Sequence, residues 1–282
     1  MPVVITEQNL QVLKLVAEYY VLTRAMIQEI LFPHVRGPRS VCERLRKLVR
    51  EGYLSVATME VVLRNSSSSA PVYYPNKKTA ETLAAILDDP SFEKIYCKPP
   101  SSRLLFHWLA ISQMHRVVDR AIGMSNTVKL HRWINEWQPI NFDDKPSELF
   151  TLYSEFDKVQ CAPDAGMLIE NKLGALKIFY CEADRGTISL KRLKSKKFSG
   201  YNRAFELQRH FKHFPSATVS KFSVLFVTTT KHRRDELAAA AKKHDPHGLW
   251  KFACKKDVSP ETFFFEPIWI GKEEKPHVLI TA

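Results

Sequence analysis

Apolar residues recur every three or four positions in three short runs near the start of the chain, which predicts three helices. Thr6 and Thr23 stand immediately before the first two runs, and a threonine side chain is a suitable N-cap for each. The second run, residues 24–31, ends before Pro33, since proline cannot continue a helix. The third run covers residues 39–51.

Two β-like segments follow these helices, at residues 53–63 and 71–74, and a polar tip at residues 65–69 joins them. Three helices followed by a β-hairpin are typical of a winged helix-turn-helix module. One more helix is predicted at residues 78–87. The sequence therefore predicts a winged-helix domain over residues 1–87.

Residues 88–100 are rich in proline and acidic residues, which predicts a linker. Residues 101–282 then show patterns in the order helix, three strands, helix, strand and a short α/β extension. The predicted helices cover residues 104–122, 189–214 and 233–243, and the predicted strands cover residues 129–137, 164–170, 176–182, 222–228, 249–253 and 262–270. Helices that cover a mixed central sheet make this second region an α/β domain.

The composition narrows the function classes. The net charge of +12 and the isoelectric point near 9.4 favour a polyanionic partner. The five cysteines are scattered and form no CxxC pair, so neither a zinc site nor a disulfide framework is expected. No apolar run approaches the roughly 20 residues that cross a bilayer, and the first residues lack the pattern of a signal peptide. We therefore expect a cytoplasmic protein without a membrane partner.

The predicted helix at residues 39–51 concentrates positive charge on the face opposite its apolar residues. A basic helix face suits the major groove of double-stranded DNA. The candidate DNA-binding residues are Arg36, Arg39, Ser40, Glu43, Arg44, Arg46, Lys47 and Arg50. The helix predicted at residues 189–214 adds Lys196 and Lys197 as candidate phosphate contacts. An RNA partner is disfavoured, because the sequence has no GXXG loop or RNP-like aromatic pair.

Acidic residues mark the two ends of the hairpin predicted in the second region. Asp164 lies at the start of one strand, and Glu182 and Asp184 lie at the end of its partner. These two ends lie side by side in a hairpin, so the three carboxylates can converge. Carboxylate oxygens on adjacent strands are suitable ligands for a hard divalent cation, which can activate water and polarise a phosphate. Simple solvation of acids at strand ends is the alternative that spacing alone leaves open.

Two short motifs carry a resemblance to known families: PDA at residues 163–165 and EADRGT at residues 182–187. Followed by a basic helix that contains a tyrosine, they resemble the replication-relaxation family, and they are similar to the catalytic hairpin of PD-(D/E)XK nucleases. The resemblance extends over residues 11–269. It implies an N-terminal winged helix followed by a PD-(D/E)XK-like α/β domain with a mixed central sheet. It also implies a protein of plasmids and integrated mobile elements, akin to nuclease-fold mobilisation relaxases.

The resemblance implies that Asp164 is the first acid of the motif and Glu182 the second, with Mg²⁺ or Mn²⁺ as the bound metal. The third position of the motif is a lysine, and this chain has Asp184 there. Asp184 could serve as a third metal ligand. Alternatively, a lysine could approach from elsewhere, and the candidates are Lys191 and Lys194 on the next helix and Lys177.

Four further residues are considered for roles at or near the acidic site. The resemblance offers Asp119 as an accessory metal ligand, and Arg185 could pair with Asp184. Tyr201 is a weaker candidate for a covalent nucleophile, because the histidine cluster of tyrosine relaxases does not accompany it. For His115 we expect a core or surface role.

Two functions remain open. The first is a metal-dependent endonuclease that nicks or cleaves DNA of a plasmid or integrated element in replication initiation or mobilisation. The second is an inactive nuclease-like protein that binds DNA as an initiator, a transcriptional regulator or an assembly scaffold. A homodimer would suit a helix-turn-helix protein on a symmetric site, and other replication or mobilisation proteins are further candidate partners.

Overall fold

The structure, a computed structural model, describes residues 5–63, 66–136, 138, 152–156, 159–186 and 189–281, with the backbone alone at 60–63, 66–70, 194 and 195. The chain divides into two compact units, Met1–Ser112 and Gln113–Ala282. The residues expected as a linker, 88–100, lie within the first unit. Among the described residues, no helix combines the length and the apolar character that crossing a membrane requires.

The first unit begins with the three helices that the sequence predicts. They are α1 (Glu7–Tyr19), α2 (Arg24–Leu31) and α3 (Arg39–Arg50), with the short strand β1 (Leu22–Thr23) between the first two. The side chain of Thr6 accepts the backbone N–H of Asn9, and that of Thr23 accepts the backbone N–H of Met26. Both predicted caps are therefore confirmed.

A small antiparallel sheet and a fourth helix complete the first unit. The strands β2 (Ser55–Leu63) and β3 (Ser66–Tyr74) pair along their length, and β1 adds to the free side of β3. The helix α4 (Lys77–Leu87) begins at a capping box between Asn76 and Thr79. The prediction that β3 begins at residue 71 is wrong, because the serines before it pair with β2; Asn65 of the expected tip lies outside the described residues.

The long helix α5 (Ser102–Gly123) runs across the division between the units, and the second unit then builds its strands and helices. The strands are β4 (Val128–Asn135), β5 (Ser154–Phe156), β6 (Val159–Cys161), β7 (Ala165–Asn171), β8 (Leu176–Ala183), β9 (Phe222–Thr228), β10 (Trp250–Cys254), β11 (Trp269–Ile270) and β12 (Pro276–His277). The helices are α6 (Leu190–Arg192), α7 (Ser199–Glu206), α8 (His210–His213) and α9 (Lys231–His244). Trp137, which was expected to end the strand predicted at residues 129–137, lies outside the described residues.

The sheet of the second unit has seven strands in the order β12-β11-β10-β9-β8-β7-β4. The strands β8, β9 and β10 run parallel, and the other neighbours pair antiparallel. The prediction of an α/β fold with a mixed central sheet is therefore confirmed. The strands β5 and β6, which the sequence did not predict, form a separate two-stranded ladder.

The prediction of one continuous basic helix at residues 189–214 is wrong in two respects. A π-helical turn, Leu193–Phe198, separates α6 from α7, and α7 ends at Glu206 before a left-handed residue, Gln208. Leu193 and Phe198 are five residues apart and both buried in the core. An ordinary α-helix would direct side chains at that spacing about 140° apart, whereas the wider π turn lets both face the sheet.

The strand predicted at residues 262–270 is also largely wrong. Turns occupy most of this segment, and only Trp269–Ile270 forms a strand. Phe263 and Phe264 are fully buried aromatic residues within the turns. Their apolar character gives the segment the composition of a strand although its backbone is irregular.

Gly200 lets α7 approach β6 closely. A β-carbon at this position would lie 2.2 Å from the carbonyl oxygen of Gln160, which is far inside van der Waals contact. We expect Gly200→Ala to lower the free energy of unfolding by about 1–3 kcal/mol or more, because the helix must move away from the strand. Urea-induced unfolding measures this change.

Gly123→Ala is the matched control, since a β-carbon built there meets no described atom within 4 Å outside its chain neighbours and the adjacent backbone of its own helix. It should leave the stability unchanged or raise it by less than about 1 kcal/mol. Equal unfolding midpoints for the Gly200→Ala variant and the unaltered protein would contradict this account of the contact.

Candidate active site

The hairpin of β7 and β8 brings two acids together. Ala165 pairs with Cys181 across the hairpin, so Asp164 lies opposite Glu182. The Oδ2 of Asp164 accepts the backbone N–H of Ala183 at 2.9 Å. Both carboxylates are buried, with Asp164 7% and Glu182 3% exposed. The convergence that the sequence suggested is therefore present between these two acids.

A lysine from the π-helical turn lies directly on this acid pair. The ammonium of Lys197 donates to Oε1 and Oε2 of Glu182, both at 2.7 Å, and to the carbonyl oxygen of Ala162 at 3.0 Å. It also lies 3.7 Å from Oδ1 of Asp164. An ammonium has three N–H donors, so these contacts use its full capacity. Lys197 thus lies inside the site and not on an open surface.

Tyr201 lies one helical turn beyond Lys197 and contacts the same acid. Its hydroxyl donates to Oε1 of Glu182 at 2.6 Å, and its side chain is 1% exposed. The spacing of four residues between a lysine and an aromatic residue was visible in the sequence. It was not decisive there, because Lys196 and Lys194 stand beside Lys197 and the π turn that selects among them has no clear sequence pattern.

The other lysines considered for the site lie elsewhere. Lys191 is exposed on α6. Lys177 donates to the carbonyl oxygen of Leu279 at 2.9 Å, and the side chain of Lys194 lies outside the described part of the chain. Lys197 is the lysine that the structure places on Glu182.

Burial and the close approach of Glu182, Lys197 and Tyr201 shift the pKa of each of the three groups. Burial and the neighbouring Asp164 carboxylate raise the pKa of Glu182 to about 8, although Lys197 and the Tyr201 hydroxyl act to lower it. Burial alone would lower the pKa of Lys197, but the carboxylates of Glu182 and Asp164 raise it above its ordinary value. The pKa of Tyr201 lies well above its ordinary value, mainly because of burial and to a smaller extent because of the neighbouring Glu182 charge. Lys197 therefore carries its charge, and Tyr201 keeps its proton at neutral pH.

Asp184 faces a different partner. Its Oδ2 accepts from Nε of Arg233 on α9 at 3.2 Å, and its Oδ1 accepts the backbone N–H of Gly186 at 3.0 Å. Arg233 was not predicted as a site residue, and nothing in the sequence brings it close to the hairpin. The contact ties the end of β8 to α9, while Arg185, the partner considered from the sequence, is exposed.

Two further acids belong to the second unit. A carboxylate oxygen of Glu136 lies within 4.8 Å of one of Asp164, and the backbone N–H of Glu136 donates to the carbonyl oxygen of Asp164 at 3.0 Å. Asp119 pairs with Nε2 of His115 at 3.4 Å. His115 stacks on Trp133, and burial lowers its pKa to about 3, so it is a neutral core residue.

In the first unit, α3 buries Val41, Leu45 and Leu48 and leaves a basic face exposed. The exposed residues of this face and its lead-in are Arg36, Arg39, Ser40, Glu43, Arg46, Lys47 and Arg50. Arg39 and Glu43 form an exposed ion pair on it. Arg44 differs from the others, because its guanidinium donates to Gln8 and Asn9 of α1. Lys196, in the second unit, is exposed.

A family described as replication-relaxation matches residues 13–216 of this sequence. The chain belongs to the replication-relaxation family. No curated protein and no solved structure matches the chain. The part that matches the replication-relaxation family contains α3 and the contacts among Asp164, Glu182, Lys197 and Tyr201, and it ends before Arg233. Membership of this family suggests a role in plasmid replication or mobilisation and an interaction with DNA.

Lys197→Met should destabilise the second unit most at alkaline pH. Removing the cation leaves buried carboxylates unpaired, which costs about 3–5 kcal/mol. The pKa of Glu182 in the fold lies near 8, above its unfolded value. Stability linked to a raised pKa is present below the unfolded pKa and is lost as pH rises through the folded pKa. Below about pH 8 the fold keeps Glu182 protonated with or without Lys197, so both chains lose stability in parallel. Above that pH the unaltered chain can ionise Glu182 beside the Lys197 cation and the variant cannot, so the loss in unfolding free energy should be larger near about pH 9.5 than near about pH 6.

Urea unfolding at the two pH values measures this difference. Adding Glu182→Gln to Lys197→Met removes the unpaired charge and should restore part of the stability at alkaline pH. A loss that is the same at both pH values, or no loss at all, would contradict the coupling of Lys197 to Glu182.

Proposed function

We propose that this chain binds double-stranded DNA through α3 and hydrolyses a phosphodiester bond at Asp164 and Glu182 with the help of Mg²⁺ or Mn²⁺. The observation that carries this proposal is the ammonium of Lys197, 2.7 Å from both oxygens of Glu182. The PD-(D/E)XK motif requires a lysine beside its paired acids. In this proposal Lys197 supplies that lysine from the π-helical turn after the hairpin. Asp184 stands at the position, two residues after Glu182, where the motif ordinarily has its lysine.

The DNA-binding half of the proposal rests on the first unit. Its three helices and small sheet are what a winged helix-turn-helix requires, with α3 as the recognition helix. Arg46, Lys47 and Arg50 are exposed on the side of α3 opposite its buried residues. Basic side chains on such a face neutralise phosphates and release counterions, so the affinity should depend strongly on salt.

The residues around Asp164 fit a hard divalent cation. Asp164, Glu182 and Glu136 offer carboxylate oxygens, which are the preferred ligands of Mg²⁺ and Mn²⁺. Asp184 fits less well, because its oxygens already accept from Arg233 and Gly186. A bound ion would polarise the scissile phosphate and lower the pKa of a water molecule.

The chain's own groups have distinct roles in this proposal. Lys197 holds Glu182 in place and sets a positive charge beside the acids, where a phosphate gains negative charge during hydrolysis. Tyr201 is a positioning residue, since its protonated hydroxyl donates to Glu182. It does not serve as a covalent nucleophile, because its side chain is 1% exposed.

A second candidate function follows from the same contacts. Lys197 occupies both oxygens of Glu182, so a metal ligated by this acid would have to share it with the ammonium. A chain in which the ammonium replaces the metal would bind DNA without cutting it, as an initiator, a transcriptional regulator or an assembly scaffold. In both cases the process is replication or mobilisation of a plasmid or integrated element.

One experiment separates the two functions. Purified protein is incubated with a supercoiled plasmid that carries the DNA flanking its own gene, with Mg²⁺ or Mn²⁺, and the DNA is analysed for nicking and for gel shift. The unaltered chain should shift the DNA and give relaxed or linear product only with metal. Asp164→Ala and Lys197→Gln should slow cleavage by about 100-fold or more and still shift the DNA.

Matched variants test each half separately. Lys172→Gln, an exposed lysine in the turn between β7 and β8, should cleave at the unaltered rate. Arg46→Ala with Lys47→Ala should weaken the shift and reduce the salt slope of binding by about two. Cleavage that persists in Asp164→Ala or without metal contradicts the nuclease. A shift without product establishes the second candidate, and an unchanged shift in the α3 variant contradicts the DNA-binding face.

A further inference from the structure

A basic cavity of about 310 Å³ lies in the second unit, beside the starts of β9 and β10. Its polar lining includes Lys221, Lys251, Lys272, Glu273 and His277. The cavity is at the lower end of the range of about 300–1,000 Å³ that small-molecule sites occupy. It is therefore large enough for a small ligand and predominantly cationic.

Two glycines let the cationic groups converge. A β-carbon at Gly248 would lie 3.7 Å from Nζ of Lys272 and 3.9 Å from Nζ of Lys221. A β-carbon at Gly271 would lie 3.2 Å from Nζ of Lys251. The absence of side chains at these two positions keeps the space between the three ammonium groups open.

Two of the lysines are held in place by the backbone. Lys221 donates to the carbonyl oxygen of His247 at 2.8 Å, and Lys272 donates to that of Pro246 at 3.3 Å. Each ammonium has three N–H donors, so both keep donors for a ligand. These contacts orient the charges in advance, which reduces the entropy that binding must overcome.

Of the three lysines, Lys251 is the one whose ammonium has no backbone carbonyl acceptor among the described residues. It is half-buried, and its ammonium donates no hydrogen bond to the described residues. Burial lowers its pKa, and Lys221 and Lys272 add to this effect, whereas Glu273 and Asp245 oppose it. Two like charges beside a half-buried ammonium favour the approach of an anion, although the Glu273 carboxylate of the lining already compensates part of this charge.

The cavity is separate from the acid pair. Lys221 immediately precedes β9 and Gly248 lies just before β10, whereas Glu182 lies near the end of β8. Because β8, β9 and β10 are parallel, the cavity and the acids lie at opposite ends of these strands. The cavity residues also follow residue 216, where the match to the replication-relaxation family ends.

We propose that this cavity is a binding site for a terminal phosphate group, carried by a nucleotide or present as inorganic phosphate. Three ammonium groups around one space match the charge and the several oxygens of a phosphate dianion. The site goes beyond the proposed cleavage of DNA and does not depend on it.

Isothermal titration calorimetry on the whole chain tests the site with three probes: inorganic phosphate, adenosine 5′-monophosphate and adenosine. We expect saturable binding of at least one of the two phosphates and none of adenosine. Tighter binding of the nucleotide identifies a nucleotide site, and equal binding of the two identifies a site for free phosphate.

Lys251→Gln and Lys272→Gln should each weaken binding about tenfold or more, the effect of losing one charge-assisted hydrogen bond. Gly271→Ala keeps every charge but pushes a methyl group against the Lys251 ammonium, and it should weaken binding as well. Lys256→Gln, an exposed lysine outside the cavity lining, is the control and should bind normally. The proposal is overturned if neither phosphate binds, if adenosine binds equally, or if both lysine variants bind like the unaltered chain.

Discussion

The stability of the second unit depends on the contacts that the Lys197 ammonium makes with Glu182, Asp164 and Ala162. The ammonium joins three pieces of chain that the sequence keeps apart: the segment before β7, the end of β8 and the π-helical turn. Two buried carboxylates in this position would destabilise the fold by several kcal/mol if they had no cation. The lysine therefore stabilises the hairpin and at the same time leaves a positive charge beside the acids.

Two features of the backbone make this contact geometrically feasible. The π turn lets Leu193 and Phe198 both enter the core, which turns Lys197 toward Glu182. Gly200 then brings α7 against the carbonyl oxygen of Gln160 in β6. Irregular turns of this kind are frequent at functional sites, and here the irregularity positions Lys197, the one lysine that contacts the acid pair in the part of the chain that the structure describes.

The sequence predicted those parts of the fold that follow from local patterns. The caps at Thr6 and Thr23, the bounds of α2 and β9 and the pairing of β7 with β8 all arise from short-range spacing. The contact between Lys197 and Glu182 was missed, because it depends on a π turn that local propensity does not encode. Arg233 was missed for a different reason, since only the three-dimensional packing of α9 brings it to Asp184.

Asp164 and Glu182, with Lys197 beside them, are proposed above to hold a divalent metal ion. Electron paramagnetic resonance of Mn²⁺ titrated with the whole chain tests this claim directly and does not require a known DNA target. The account predicts saturable Mn²⁺ binding that is lost in Asp164→Asn and kept in Asp235→Asn, which alters an exposed carboxylate on α9. An unchanged Mn²⁺ spectrum, or equal binding by Asp164→Asn, would contradict it.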